Sequence, residues 1–278
     1  MKHFLILFCC VFATTIQSQN FKGQAVYMSK TTVDLDNWGG NKMSEQQKKM
    51  IMERMKSMFE KTYILNFTKS ESLYKEDEQL EAPGSRGFGM MGSFTAGPQY
   101  KNLSDQLLIQ EQEFFGKRFL ITDSLEQLQW KMTGETKKIG QYTVFKAIAT
   151  KSVDEFDWRS MRRKKDDSEK KKDSIANKSN QDPFNQVEVP ESIEITAWYT
   201  PQIPVSHGPS TYWGLPGLIL EINADRTTIL CKKIIINPQE EININKPEKG
   251  DIVTQTEYNK IIKKKMEEMR EMYRGRRR

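Results

Sequence analysis

The chain has 278 residues, 37% of them hydrophobic and 29% charged, with a formal net charge of +6. That length allows one large or two small domains. The apolar share is low, but it still supports one domain with its own core and excludes a wholly unstructured chain.

Residues 1–19 read as a signal peptide. Lys2 and His3 form a short polar start, Phe4 to Phe12 is an apolar run too short to span a membrane, and Ser18-Gln19 precedes Asn20. Cys9 and Cys10 fall inside the run, behind the bulky Phe8, so a lipid anchor is not expected. Cleavage near residue 19 leaves Cys231 as the single cysteine and His207 as the single histidine. No intramolecular disulfide is then possible, and the strand-like surroundings of Cys231 predict a buried, inert thiol. The compartment expected is periplasmic or secreted, with no transmembrane span after cleavage.

Phe21–Val33 reads as a first strand or strand pair. Ser44 with Gln47 three residues on is a capping box, opening a helix to about Lys61. Its stripe is Ile51, Met55, Met58 and Phe59, widened by Met43, Met50 and Met52. Thioethers suit Cu(I), so Met50, Met52 and Met55 carry a metal-binding alternative, against the commoner use of methionine as core filler. Tyr63–Lys69 and Ser72–Glu76 read as strands. A Gly- and Met-rich loop follows over 82–98, with Phe88 and Phe94 as apolar points; it is either a flap or an unstructured insertion.

Leu107–Phe114 and Lys117–Thr122 predict a hairpin around Phe115-Gly116. Trp130–Thr133 and Thr143–Ala149 predict another, with a bend over Gly134–Gly140. Residues 159–186 are nearly free of apolar side chains and read as a disordered, charged insertion, with Arg162, Arg163, Lys164 and Lys165 at its head. Glu194–Thr200 alternates like a half-buried strand. Leu218–Asn223 and Thr227–Ile236 predict a hairpin, and Thr254–Tyr273 a terminal helix with a stripe of Tyr258, Ile262, Met266, Met269 and Tyr273. Residues 274–278 form a basic tail ending in Arg276, Arg277 and Arg278.

Charge is unevenly placed. Residues 159–172 hold eight basic and three acidic residues, or +5, and those from Lys260 onward nine and three, or +6. The rest of the processed chain is then about −6, so the basicity belongs to the appendages. Lacking any nucleic-acid-binding signature, they fit an anionic lipid surface or an acidic partner, or serve solubility alone.

The densest pattern is His207–Ile222, HGPSTYWGLPGLILEI, which sets prolines and glycines among aromatics. Trp198-Tyr199-Thr200, Ile203-Pro204, Gly208-Pro209 and the hexapeptide Gly214-Leu215-Pro216-Gly217-Leu218-Ile219 resemble the signature of the GLPGLI family of secreted envelope proteins of Bacteroidota-type bacteria. The resemblance implies one domain over 20–273 and an envelope location, but no reaction, since that family has no established activity.

The chemistry-bearing motifs are few. There is no G-x-S-x-G, H-E-x-x-H or C-x-x-C, and His207 stands beside Ser206 in an extended loop where neighbours point apart. The chain is therefore read as non-enzymatic, with no cofactor. The expected fold is α+β: one curved antiparallel sheet, a half-barrel like that of lipoprotein carriers, with an N-terminal and a C-terminal amphipathic helix. The first expected function is binding of an apolar ligand or outer-membrane component by Tyr212, Trp213, Leu215 and Leu218, covered by Phe88 and Phe94. The alternative is an accessory or assembly subunit of an outer-membrane complex, contacting its partner through the basic segments.

Overall fold

A computed structural model describes residues 21–32, 44–77, 97–154, 156–157, 159–160, 162–163 and 187–275. In chain order the strands are β1 (Gly23–Thr31), β2 (Glu60–Phe67), β3 (Glu71–Glu76), β4 (Gln99–Asn102), β5 (Leu107–Phe114), β6 (Lys117–Ser124), β7 (Lys131–Ile139) and β8 (Tyr142–Ser152). They continue with β9 (Arg162–Arg163), β10 (Val187–Glu188), β11 (Ser192–Thr200), β12 (Leu218–Ala224), β13 (Thr227–Ile236) and β14 (Asp251–Val253). Two helices complete the fold, α1 (Glu45–Phe59) and α2 (Gln255–Gly275).

Twelve strands form one open, curved sheet in the order β14-β6-β5-β4-β3-β2-β1-β13-β12-β11-β8-β7. Its neighbours are antiparallel except β14, which runs parallel to β6. Short turns join β2 to β3, β4 to β5, β5 to β6, β7 to β8 and β12 to β13, and β1 closes the middle by pairing with both β2 and β13. The turn between β5 and β6 has Phe115 and Gly116 both at positive φ, 51° and 74°, the mirror-image turn whose twist suits a tight hairpin.

Period-two alternation fills the two faces differently. On one face Ala25, Tyr27, Leu65, Phe67, Ala147, Ile195, Ala197 and Ile222 join the main core. On the opposite face Leu73, Tyr100, Ile109 and Leu120 form a smaller cluster, covered by Ile244 from the connection before β14. Asn66 Nδ2 donates 2.9 Å to the Asn243 carbonyl and fixes that connection.

The capping box of α1 is present: the Gln47 amide donates to Ser44 Oγ, and the Ser44 amide donates to Gln47 Oε1. Phe59 is buried, but Met50 and Met52 are 54% and 37% exposed, so they do not serve as core filler. The stripe of α2 packs as expected, with Tyr258 and Ile262 against Phe114, Phe119 and Ile121, and Met266 partly buried beside them.

Two sequence readings need correction, and two short strands escape the sequence pattern. The bend expected over Gly134–Gly140 is mostly strand, because the pairing of β7 with β8 absorbs the extra residues in a bulge between Met132 and Thr136, and the turn falls at Gly140-Gln141. The strands β4 and β14 have too few apolar residues to stand out. Of the two alternatives for Phe21–Val33, the single strand is the one formed. The head of the charged insertion is ordered: Ser160 is buried, and Arg162–Arg163 pair with Val187–Glu188. The segments 1–20, 78–96, 164–186 and 276–278, and with them the signal peptide, Phe88, Phe94, Lys164, Lys165 and Arg276–Arg278, lie outside the described residues, as do the side chains of Met55, Arg162 and Arg163. Among the described residues no helix is long and apolar enough to cross a membrane.

Candidate functional site

The proline- and glycine-rich stretch folds back onto the main core, and its backbone carbonyls are nearly all engaged. The Ser206 and His207 carbonyls accept from the Gly214 and Ile219 amides, and the Pro209 carbonyl from Tyr212. The Trp213 carbonyl accepts 2.8 Å from Trp130 Nε1, and the Ile219 carbonyl 2.7 Å from the Tyr27 hydroxyl. The Gly208, Ser210 and Tyr212 carbonyls all accept from one ammonium, Lys101 Nζ, at 2.8, 2.7 and 3.1 Å.

Lys101 is fully buried, and desolvation pushes its pKa down to about 7. It leaves β4 on the face opposite Tyr100 and ties the stretch to the far half of the sheet. Gly217 is required by contact: a Cβ there would stand 2.2 Å from the Thr200 carbonyl oxygen. Gly214 adopts φ +92°, a conformation that glycine tolerates.

This geometry sorts the four expected ligand contacts. Leu215 and Leu218 have no exposed surface and belong to the core. Trp213 is 8% exposed and anchors the stretch by donating 2.8 Å from Nε1 to the Glu126 carbonyl. Tyr212 alone of the four faces open space, where it lines a cavity. His207 is buried against Phe67, with its ring near the Thr68 and Lys69 backbone. Burial pushes its pKa down to about 3, so it is a neutral core residue. Cys231 is also buried, its thiol pushed up to about 12 by desolvation.

The cavity arises where this filling stops. Along β1, Ala25 and Tyr27 lie in the core, whereas Ser29 and Thr31, further along the same face, line a hollow of about 740 Å³. Along β2 the row Phe67 and Leu65 gives way to Tyr63 and Lys61, and along β8 the row Ala147 and Ala149 ends in Lys151. The loop at Ser210–Tyr212 closes one side, and α2 contributes Tyr258, Asn259 and Ile262 on another.

The lining is mixed. Its apolar part includes Phe59, Leu108, Ile121, Leu125, Ile193 and Ile229. Tyr63 and Tyr74 stack within it, centroids 4.8 Å apart at 12°. Gln99, Gln110 and Gln112 form a polar wall. The acids at its rim are used locally. Asp123 accepts the Gln255 amide at 2.8 Å, Asp154 accepts Asn259 Nδ2 at 2.7 Å, and Asp157 accepts Arg159 Nε at 3.0 Å. Among the described residues no three His, Cys, Asp or Glu side chains form a metal-ligand group. Composition alone cannot reveal this hollow, since its lining comes from side chains spread from Ser29 to Ile262 that only the curved sheet brings together.

The comparisons with known proteins narrow the family more than the function. A family profile described as "Protein of unknown function (Porph_ging)" matches residues 130–221, a span that contains the GLPGLI hexapeptide. No curated protein matches the chain. Among solved structures, PNGF-II in its C2 crystal form is similar at 15% identity with a TM-score of 0.48, over 87% of this chain and 32% of that one. The P21 form gives 15% identity and a TM-score of 0.42, over 79% and 29%. The chain thus spans about a third of the length of these structures.

Proposed function

We propose that the protein is a non-catalytic binding protein of the cell envelope and that its ligand sits in the cavity on the concave face. The observation that carries this reading is the volume of about 740 Å³ beside a stretch whose Leu215 and Leu218 are wholly buried in the core. Small-molecule sites span about 300–1,000 Å³ and combine apolar walls with a few placed polar groups. The mixed lining refines the ligand from purely apolar to amphipathic. The absence of catalysis is inferred from the two residues best suited to it: His207 and Cys231 are both buried away from the cavity with pKa values far from neutral.

Native mass spectrometry on protein purified gently from its own envelope, followed by solvent extraction, tests the reading. A stoichiometric small-molecule adduct is expected. Ser29→Phe places a ring in the hollow from a strand position that favours aromatics, so it removes the adduct while the thermal unfolding midpoint holds. A wild-type protein of clean apo mass, or an adduct that survives Ser29→Phe, overturns the reading.

A further inference from the structure

Two cations meet at one corner of the cavity. Lys151 lies where the apolar row of β8 ends, next to Ile193 of β11. Its ammonium donates one hydrogen bond, 3.0 Å to Thr211 Oγ1, and stands 5.4 Å from the Tyr212 ring centroid. Arg159 enters the same space from the ordered head of the insertion. Asp157 takes its Nε at 3.0 Å and one terminal nitrogen at 3.4 Å, and among the described residues no acceptor bonds the other terminal nitrogen. Its side chain is 43% exposed, and it lines the hollow.

The nearby acids offset the pair only in part: Asp157 ion-pairs with one edge of Arg159, and no ion pair reaches Lys151 among the described residues. Asp154 is spent on Asn259, Gln255 and the Phe156 amide, and Asp157 on Arg159. Glu126 also lines the cavity, but no ion pair joins it to Lys151 among the described residues. Burial and the repulsion of Arg159 lower the Lys151 pKa against the pull of Asp157, Glu126 and Asp154, a net cost that an arriving anion would reverse.

Resting on the cavity reading above, we propose that the Lys151–Arg159 corner is an anion subsite that takes the acid group of the ligand. The ligand is then an organic anion with an apolar body: the acid bridges the ammonium and the free side of the guanidinium, and the body lies along Tyr63, Tyr74 and the aliphatic wall. A guanidinium fork and a point-charge ammonium suit a carboxylate, sulfonate or phosphate oxygen pair.

The test uses two fluorescent probes that share one apolar body, anilinonaphthalene sulfonate and its neutral counterpart phenylnaphthylamine, titrated into the signal-free protein. The expected result is one-to-one binding of the sulfonate, about tenfold or more tighter than the neutral probe, the scale of one hydrogen bond to a charged group. Lys151→Met and Arg159→Gln each remove that advantage and leave the neutral probe unchanged; Lys151→Arg keeps it; Ser29→Phe abolishes both. The wild-type comparison needs no variant to fold, and circular dichroism checks those that are used. Equal affinity for the two probes, or a sulfonate advantage that survives both charge substitutions, overturns the anion subsite while the cavity reading stands. Binding of neither probe overturns both.

Discussion

Lys101 holds its amine at a position that water does not reach, and its three carbonyl partners explain why it is kept there. Replacing it with Met preserves much of the volume but strands three buried acceptors, each of which costs about 1–3 kcal/mol. Lys101→Met therefore lowers stability by roughly 3 kcal/mol or more in urea unfolding. His207 predicts a pH dependence. Its pKa is about 3 in the fold and 6.5 ordinarily, so between those values the unfolded chain binds more protons. Its stabilising contribution is complete above pH 6.5 and is lost as the pH falls toward 3. Between pH 6.5 and 5 the native protein loses about 1.5 kcal/mol through this residue, and His207→Leu removes that part of the slope in paired unfolding curves. Neither role is written in the local sequence. A lysine in the four-residue strand QYKN reads as a solvated charge, and a lone histidine beside Ser206 reads as a loop hydrogen-bonder; both become core residues only because a stretch more than 100 positions from Lys101 folds over it.

The elements whose periodicity was strong are where the pattern placed them. The capping box starts α1 at Glu45, and Tyr258 and Ile262 of α2 are buried at their expected i, i+4 spacing. What periodicity could not supply was the partner. Helix α2 docks on β5 and β6, and β14 prepares that docking by pairing with β6 just before the helix begins. This cluster is separate from the main core. Ile262→Ala therefore costs about 2–4 kcal/mol locally, by transfer and cavity terms. Amide exchange should show faster opening across α2 and β14, with β12 and β13 still protected. Uniform loss of protection would mean that the two clusters unfold as one.

At the scale of the molecule, one long sheet is divided along its strands into a filled end and a hollow end, and the glycine-rich stretch sets the division. That stretch was visible in the sequence as the densest pattern, but its residues read as contacts for a ligand when most of them serve as the plug. Ser210, Thr211 and Tyr212, at the plug's open edge, are the part that reaches the hollow. The head of the charged insertion reaches the cavity through Arg159, but the residues after it are set apart by a ladder. Arg163 and Val187 are direct neighbours in the ladder of β9 and β10, so residues 164–186 leave and re-enter the fold at one point. Replacing 164–186 with Asn-Gly, a pair suited to a two-residue hairpin turn, keeps that ladder and the Arg159 backbone carbonyl that accepts 2.8 Å from Arg226. The shortened protein is expected to keep the unfolding midpoint and the cavity adduct of the full chain. If it instead keeps its midpoint but loses a membrane protein that co-purifies with the full chain, the insertion is a partner surface and the accessory-subunit reading gains its first support. A collapse of the midpoint would show that the insertion contributes to the core, against the nearly apolar-free sequence between Met161 and Ile175.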